Sequence, residues 1–461
     1  MFKRIICVLF AASFSFALFA GGSQEAEAGS VAAGSDKAVT IEFVATQPEY
    51  LEQDKQIWEL YMEENPNVTI KVTSLNEDQQ TAFLARIAAN EGPAIMANGF
   101  PGADKSTYKT FVNLLDIDYP YWDQLSYDGK TLFETETGIA DYVPGIQLFN
   151  TFNFSFLFYE DEMEKAGLNP TAIRTWDDVD NFLAELKVYV DKTDSLEYVL
   201  DTGWHSWVWG LCLPNILSLS LGASIQDLED LYLGKIAWTD IENNPMVPFF
   251  EKLKDYYQKG YLPKNWLGRD WENEFEAGFI NRKSILTLHG PWIWNKVLAA
   301  DPSAQLGGVP FPAGKDGKLA AYPVTTYQSS AILAQYEGTE DFDEIVKAFI
   351  WYNSPEVSEM RAQFTGSKPN FKTLSSNFTI DSPQYVSVVK PAMEGAFGSG
   401  LSWDNSTWGV TAAGPYKIEG KADVLQDDAL SDPIGKYFND EMSLEDLMDM
   451  YQKRWENAYT F

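Results

Sequence analysis

Short apolar runs alternate with amphipathic segments along this chain. Val39–Thr46 reads as a strand that ends in the polar turn Gln47-Pro48-Glu49-Tyr50. From Gln53 to Glu64, the residues Ile57, Leu60 and Tyr61 share one helical face. Asn65-Pro66-Asn67 breaks that helix, and Val68–Val72 is a second strand. A helix over Gln79–Asn90 stops at Gly92-Pro93, and Ile95–Ala97 is a short buried strand. Strands that alternate with helices imply an α/β lobe with a largely parallel sheet.

The alternation continues with a strand at Phe152–Tyr159 and a helix at Glu160–Ala166 ended by Gly167. Thr175 caps a helix over Trp176–Asp191, and Asp177 and Asp178 suit its positive N-terminal end. Further helices are expected over Met246–Lys259, Trp271–Asn281, Asp341–Asn353 and Ser443–Ala458, with a strand over Ser284–Leu288. A chain of 461 residues is too long for one small domain, and 45% hydrophobic residues supply a sizeable core.

The first residues read as an address. Lys3 and Arg4 precede the apolar run Ile5 to Phe19, and Ala20-Gly21-Gly22-Ser23 is a small-residue passage suited to cleavage. The run is short for a membrane-spanning helix. Residues 1–20 are therefore expected to be a signal peptide and residues 21–38 a flexible leader. Gly21 stands where a lipoprotein would carry its cysteine, so the expected product is periplasmic and without a membrane span.

Charge and chemistry exclude several classes. A formal charge of −33 repels nucleic acid and anionic lipid. Cys7 lies in the expected signal, which leaves Cys212 as a lone thiol, and His205 and His289 are too few for a Cys/His zinc site. No metal and no cofactor are expected. The acidic stretch Asp423–Asp432 lacks the spacing of a calcium loop and reads as a solvated face. Aromatics make up 15% of the chain, with 15 Trp, a surplus suited to stacking on the C–H faces of sugar rings.

Four passages in order resemble one family. They are Phe83-Leu84-Ala85-Arg86-Ile87-Ala88-Ala89-Asn90-Glu91-Gly92-Pro93, then Tyr142-Val143-Pro144-Gly145 through Leu157-Phe158-Tyr159, Lys165-Ala166-Gly167-Leu168 and Thr175-Trp176-Asp177-Asp178. Phe279 to Ile285 leading to Gly290-Pro291-Trp292, and Gly308-Val309-Pro310-Phe311-Pro312 with Ser354-Pro355-Glu356, complete the set. The chain resembles the extracellular solute-binding proteins of ABC importers, family 1, the maltose-binding-protein-like group. Ala94 departs from the family pattern, which usually has Asp there.

The resemblance implies a two-lobed periplasmic binding protein fold of the α/β class, each lobe a sheet flanked by helices, with the ligand cleft between lobes. It implies a first lobe of residues 39–152 and 312–368 and a second of 153–311 and 369–461. It also implies a sugar or oligosaccharide ligand, an ABC importer permease as partner, closure by hinge bending, and no catalytic residue. A monomer is expected.

The same resemblance gives Trp292 the role of sugar-stacking platform, at a strand end after Gly290-Pro291. Trp294 beside it, Gln47 and Tyr50 after the first strand, and Asn98 and Phe100 after Ile95–Ala97 are further candidate ligand contacts. Trp204 is the candidate from the aromatic passage that also holds His205, Trp207 and Trp209. Tyr327 and Trp408 complete the set. The alternative for each is a core or turn residue. Two other readings are a binding protein for a polyol and a secreted glycoside hydrolase with paired carboxylates. No Asp/Glu pair stands out in a motif for the latter.

Overall fold

The computed structural model describes residues 37–45, 48–75, 80–97, 110–126, 128–130, 133, 139–150, 154–206, 208–314, 329–365, 368–381, 386, 390 and 427–458. Its strands are β1 (Val39–Ala45), β2 (Val68–Ser74), β3 (Ile95–Ala97), β4 (Ile146–Gln147), β5 (Phe149–Asn150), β6 (Ser155–Tyr159), β7 (Leu286–His289), β8 (Leu306–Val309), β9 (Ser329–Ile332) and β10 (Lys368–Pro369).

The first sheet has the order β2-β1-β3-β9-β4. β1 pairs in parallel with β2 and β3, while β9 runs antiparallel between β3 and β4. Successive side chains of a strand point to opposite faces. Phe43, Ile95 and Ile332 therefore enter one core, and Val44, Met96 and Ala331 enter a smaller cluster with Phe83, Phe111 and Phe133. A sheet covered on both faces needs apolar residues at consecutive positions, which is why β3 and the end of β1, Phe43-Val44-Ala45, are unbroken apolar runs.

Helix Leu51–Glu64 covers the larger face with Ile57, Trp58 and Tyr61. Helix Phe342–Tyr352 adds Ile345, Phe349 and Tyr352. Trp58 and Tyr352 stack with centroids 4.9 Å apart and planes at 7°.

The second sheet has the order β7-β6-β8, with β6 antiparallel to both neighbours. This corrects the expectation of largely parallel pairing: strand–helix alternation constrains the elements but not the direction in which distant strands dock. Asp201 bridges Thr287 of β7 in parallel, and Tyr198 bridges Ser284 just before that strand. All five residues of β6 are buried. They pack under helix Trp176–Val190, which presents Val179, Phe182, Leu183, Leu186 and Val190. Thr175 and Asp178 close a reciprocal capping box at its start, as the sequence implies. Helix Leu444–Ala458 brings Leu447, Met448 and Tyr451 to the same core.

Each sheet thus has its own core. The first draws on residues between Val39 and Leu148 and between Ile332 and Phe371, the second on Phe154 to Phe311 and Leu430 to Trp455. Phe371 and Leu374 remain with the first core, a few residues beyond the expected return at 368. Both cores lie within the unit Ala38–Phe461.

Asp54 is a buried charge beneath the first core. Its Oδ1 accepts from the Tyr352 hydroxyl at 2.8 Å, and the Arg361 guanidinium lies 4.5 Å from the Tyr352 ring centre. Burial pushes the Asp54 carboxyl from 3.8 up to about 6, against the lowering pull of the Tyr352 hydrogen bond and of Arg361. Between those values the folded state holds a proton that the unfolded chain has released. Stability therefore falls as pH rises from about 4 to about 6, by roughly 2–3 kcal/mol in total. Asp54→Asn is expected to flatten this dependence in urea unfolding between pH 4.5 and 7. Parallel pH profiles for the variant and wild type would rule the effect out.

Candidate ligand-binding site

β7 ends at His289, which sits opposite Ser155 of β6. Gly290 and Pro291 then turn the chain into helix Ile293–Ala300, with Trp292 at its N-cap position. The Trp292 ring folds back onto Gly290. A Cβ at 290 would lie 1.7 Å from the ring's Cζ3, so only glycine allows this approach. Phe154 meets the Trp292 ring edge-on at 5.2 Å and 83°. The half-buried indole packs against both the first and the second core.

Gly290→Ala should push the ring out of this seat while leaving both cores intact. The expected result is altered Trp emission and loss of ligand affinity with little change in the unfolding midpoint. Unchanged emission would show that the ring does not depend on this seat.

A buried polar cluster lies behind the platform. His289 has no exposed surface, and its ring centre is 5.3 Å from that of Trp292. Its Nε2 is 3.0 Å from Glu276 Oε1, and its Nδ1 is 2.7 Å from the Gly290 carbonyl oxygen. Glu276 closes the π-helical turn Trp271–Glu276, which Asp270 caps by accepting from the Asn273 amide. The wide turn sets residues five apart one above the other, so Trp271 Nε1 donates to Glu276 Oε1 at 3.2 Å. Lys296, one turn beyond Trp292, donates to Glu276 Oε2 at 2.5 Å. Burial pushes the Glu276 carboxyl up, but the His289 hydrogen bond and the charges of His289 and Lys296 outweigh it and hold it below its ordinary value.

Rings continue from this cluster. Trp271 is 4.9 Å from His289, and His205 is 6.0 Å from Trp271. The passage around Trp204 thereby meets the Trp292 segment. Trp204 itself is half-buried and turns toward Trp266 of the second core, 6.1 Å away.

Trp294, expected at the ligand, is instead a core residue with no exposed surface. Two positions along a helix rotate a side chain by about 200°, so Trp292 and Trp294 face opposite ways. Tyr50 is buried in the first core, its ring 5.4 Å from that of Phe364. Asn295 Nδ2 reaches the Phe364 carbonyl at 3.4 Å, which joins the Trp292 helix to the first core's helix Pro355–Thr365.

Gln47, Asn98, Phe100, Tyr327 and Trp408 lie outside the described residues. The strands beside three of them, β1, β3 and β9, are adjacent and bring those termini to one end of the first sheet. Ala45 pairs with Ala97, and Met96 pairs with Ala331 near the start of β9.

Trp271, Glu276, His289, Asn295 and Phe364 were not singled out by the sequence. The spacing of Trp271 and Glu276 has no meaning in an ordinary helix, and His289 falls one residue past the strand expected over Ser284–Leu288. A separate polar cavity of about 370 Å³ lies over Arg269, with Tyr198, Asn265, Asn281 and Lys283 in its wall, before β7 rather than at its end. Among the described residues, no group of His, Cys, Asp and Glu could hold a metal ion. Asp427 instead pairs with Arg454, and Asp432 with Lys436.

A family model described as bacterial extracellular solute-binding protein matches residues 44–359, more than half of the chain. The chain belongs to the bacterial extracellular solute-binding proteins. This family is one of binding proteins and not of enzymes, so the hydrolase reading is set aside.

A multiple sugar-binding protein of Streptococcus mutans serotype c is 24% identical over 295 residues, which are 60% of this chain. The match spans 63% of that relative's length. Among solved structures, the solute-binding protein RafE in complex with raffinose aligns with a TM-score of 0.65 at 16% identity over 91% of this chain and 100% of its own. Maltose-bound MalE3 of T. maritima gives 0.65 at 16% over 92% and 100%. A chitin oligosaccharide binding protein gives 0.63 at 19% over 92% and 99%. These likenesses identify the two-lobed fold of the solute-binding proteins, with sheets flanked by helices, as expected.

Proposed function

We propose that this solute-binding protein captures a sugar or oligosaccharide between its lobes and delivers it to the permease of an ABC importer. The observation that carries this reading is the half-buried Trp292 ring, seated on Gly290 and in contact with both cores. An indole face at such a junction offers a sugar ring an apolar platform, and closing the lobes would strip water from both. The relatives support the ligand class, since their names specify multiple sugars, raffinose, maltose and chitin oligosaccharide.

In this reading residues 1–20 export the chain, and it acts as a monomer outside the cytoplasm. Among the described residues no helix is long and apolar enough to cross a membrane. Gln47, Asn98, Phe100, Tyr327 and Trp408 would add contacts around the platform, with Trp204 behind it.

Native mass spectrometry of the purified protein, followed by calorimetric titration with the sugar it carries, tests the reading. The panel should include di- and oligosaccharides and polyols. A bound saccharide, with compaction on binding seen by X-ray scattering, is the expected result. Binding of a polyol alone would change the ligand class, and absence of any binding or closure would refute the proposal.

A further inference from the structure

We propose that His289 and Glu276 are positioning residues for the Trp292 platform, with His289 acting as an imidazolium that ties the Gly290-Pro291 turn to the buried Glu276 carboxylate. The effect on ligand binding rests on the reading of Trp292 as the platform; the protonation of His289 does not.

The geometry assigns a hydrogen to each ring nitrogen. Nδ1 faces the Gly290 carbonyl at 2.7 Å, and a carbonyl can only accept. Nε2 faces Glu276 Oε1 at 3.0 Å. That carboxylate also accepts from Trp271 through Oε1 and from Lys296 through Oε2, an arrangement that suits the ionised form. A neutral imidazole carries one N–H. One of its two contacts would then set a lone pair against a lone pair, at a ring with no exposed surface. An imidazolium satisfies both.

The charges around the ring agree. The β7 residues before it, Leu286, Thr287 and Leu288, carry none, and its partner on β6 is Ser155. The turn Trp271–Glu276 contributes Glu276, with Glu272 at 4.0 Å from Lys296 and Glu274 turned away to accept from the Asp270 amide. Helix Ile293–Ala300 contributes Lys296. Asp201, on the segment beside β7, is occupied by Arg269 and Ser284, and His205 contacts the outer side of Trp271. Glu276 is thus the anion shared by His289 and Lys296.

Loss of one His289 proton would release either the Gly290 carbonyl or Glu276. The same carbonyl accepts from the Ile293 amide at 3.3 Å, so it fixes where the Trp292 helix begins. The indole would lose its set orientation while both cores persist.

The test uses the full-length protein labelled with 15N-histidine. His205 and His289 are its two histidines, so His205→Gln assigns the spectrum. Both His289 nitrogens are expected to carry hydrogen in the folded protein; a single-hydrogen tautomer there would overturn the proposal.

The difference in fluorescence between wild type and Trp292→Phe should shift when the background carries His289→Gln or Glu276→Gln. A Trp292 signal that ignores both changes would also overturn the proposal. Affinity for the carried sugar should weaken by about tenfold in His289→Gln, the worth of roughly one buried hydrogen bond. If no sugar binds at any pH, the ligand reading fails, while the spectroscopic results still decide the role of His289.

Discussion

Trp292→Ala is expected to weaken binding of the carried sugar by about 30- to 1,000-fold, the range for truncating a central aromatic anchor worth about 2–4 kcal/mol. The expectation follows from where the ring sits. Its close seat on Gly290 and its edge-on contact with Phe154 hold one orientation, so little side-chain freedom remains to be lost on binding. Its contact with both cores places it where closure of the lobes would desolvate it. Trp292→Phe should retain part of the affinity, since a smaller ring still stacks. Calorimetry on both variants, with urea unfolding as a control for lost packing, separates binding from stability. If Trp292→Ala binds within about threefold of wild type, the indole is a packing residue and the ligand lies elsewhere.

Arg269→Met should cost about 3–5 kcal/mol of folding stability, the penalty for leaving a buried charge without its partner. Asp201 has no exposed surface and Arg269 is 4% exposed. Arg269 Nη1 donates to Asp201 Oδ1 and to the Thr202 carbonyl, and Nη2 donates to the Glu274 carbonyl. Ser284 donates to the other Asp201 oxygen at 2.8 Å. Even so, burial pushes the Asp201 carboxyl from 3.8 up to about 6, because the pull of Arg269 does not fully offset desolvation.

One guanidinium therefore fastens the segment beside β7 to the π-helical turn that carries Trp271 and Glu276. The double variant Arg269→Met with Asp201→Asn should recover part of the loss, since it removes the stranded charge. Urea unfolding at pH 7 measures both; a loss below about 1 kcal/mol for the single variant would show that water or rearrangement replaces the pair.

Much of the framework was legible in the chain. The capping box at Thr175 and the left-handed Gly167 that ends helix Glu160–Ala166 are local chemistry, readable from a few neighbouring residues. The strand, Gly-Pro turn and Trp292 were also readable in order. The resemblance supplied a role for that tryptophan, and the half-buried ring between two cores is compatible with it. The antiparallel docking of β6 was not readable, because its partners β7 and β8 lie far along the chain.

Trp292 and Trp294 look alike in the sequence, and a rotation of two helical positions sends one to the junction and the other into the core. His289 lies just past the apolar strand expected over Ser284–Leu288, and its role shows only once the turn Trp271–Glu276 packs against it. By itself the sequence determined the elements, their caps and the strand-end position of Trp292, because those depend on neighbours a few residues away. Only the tertiary structure decided which aromatic rings face the junction and which buried charges stand behind them. Burial and charge pairing are set by contacts between distant segments, and local periodicity carries no record of those.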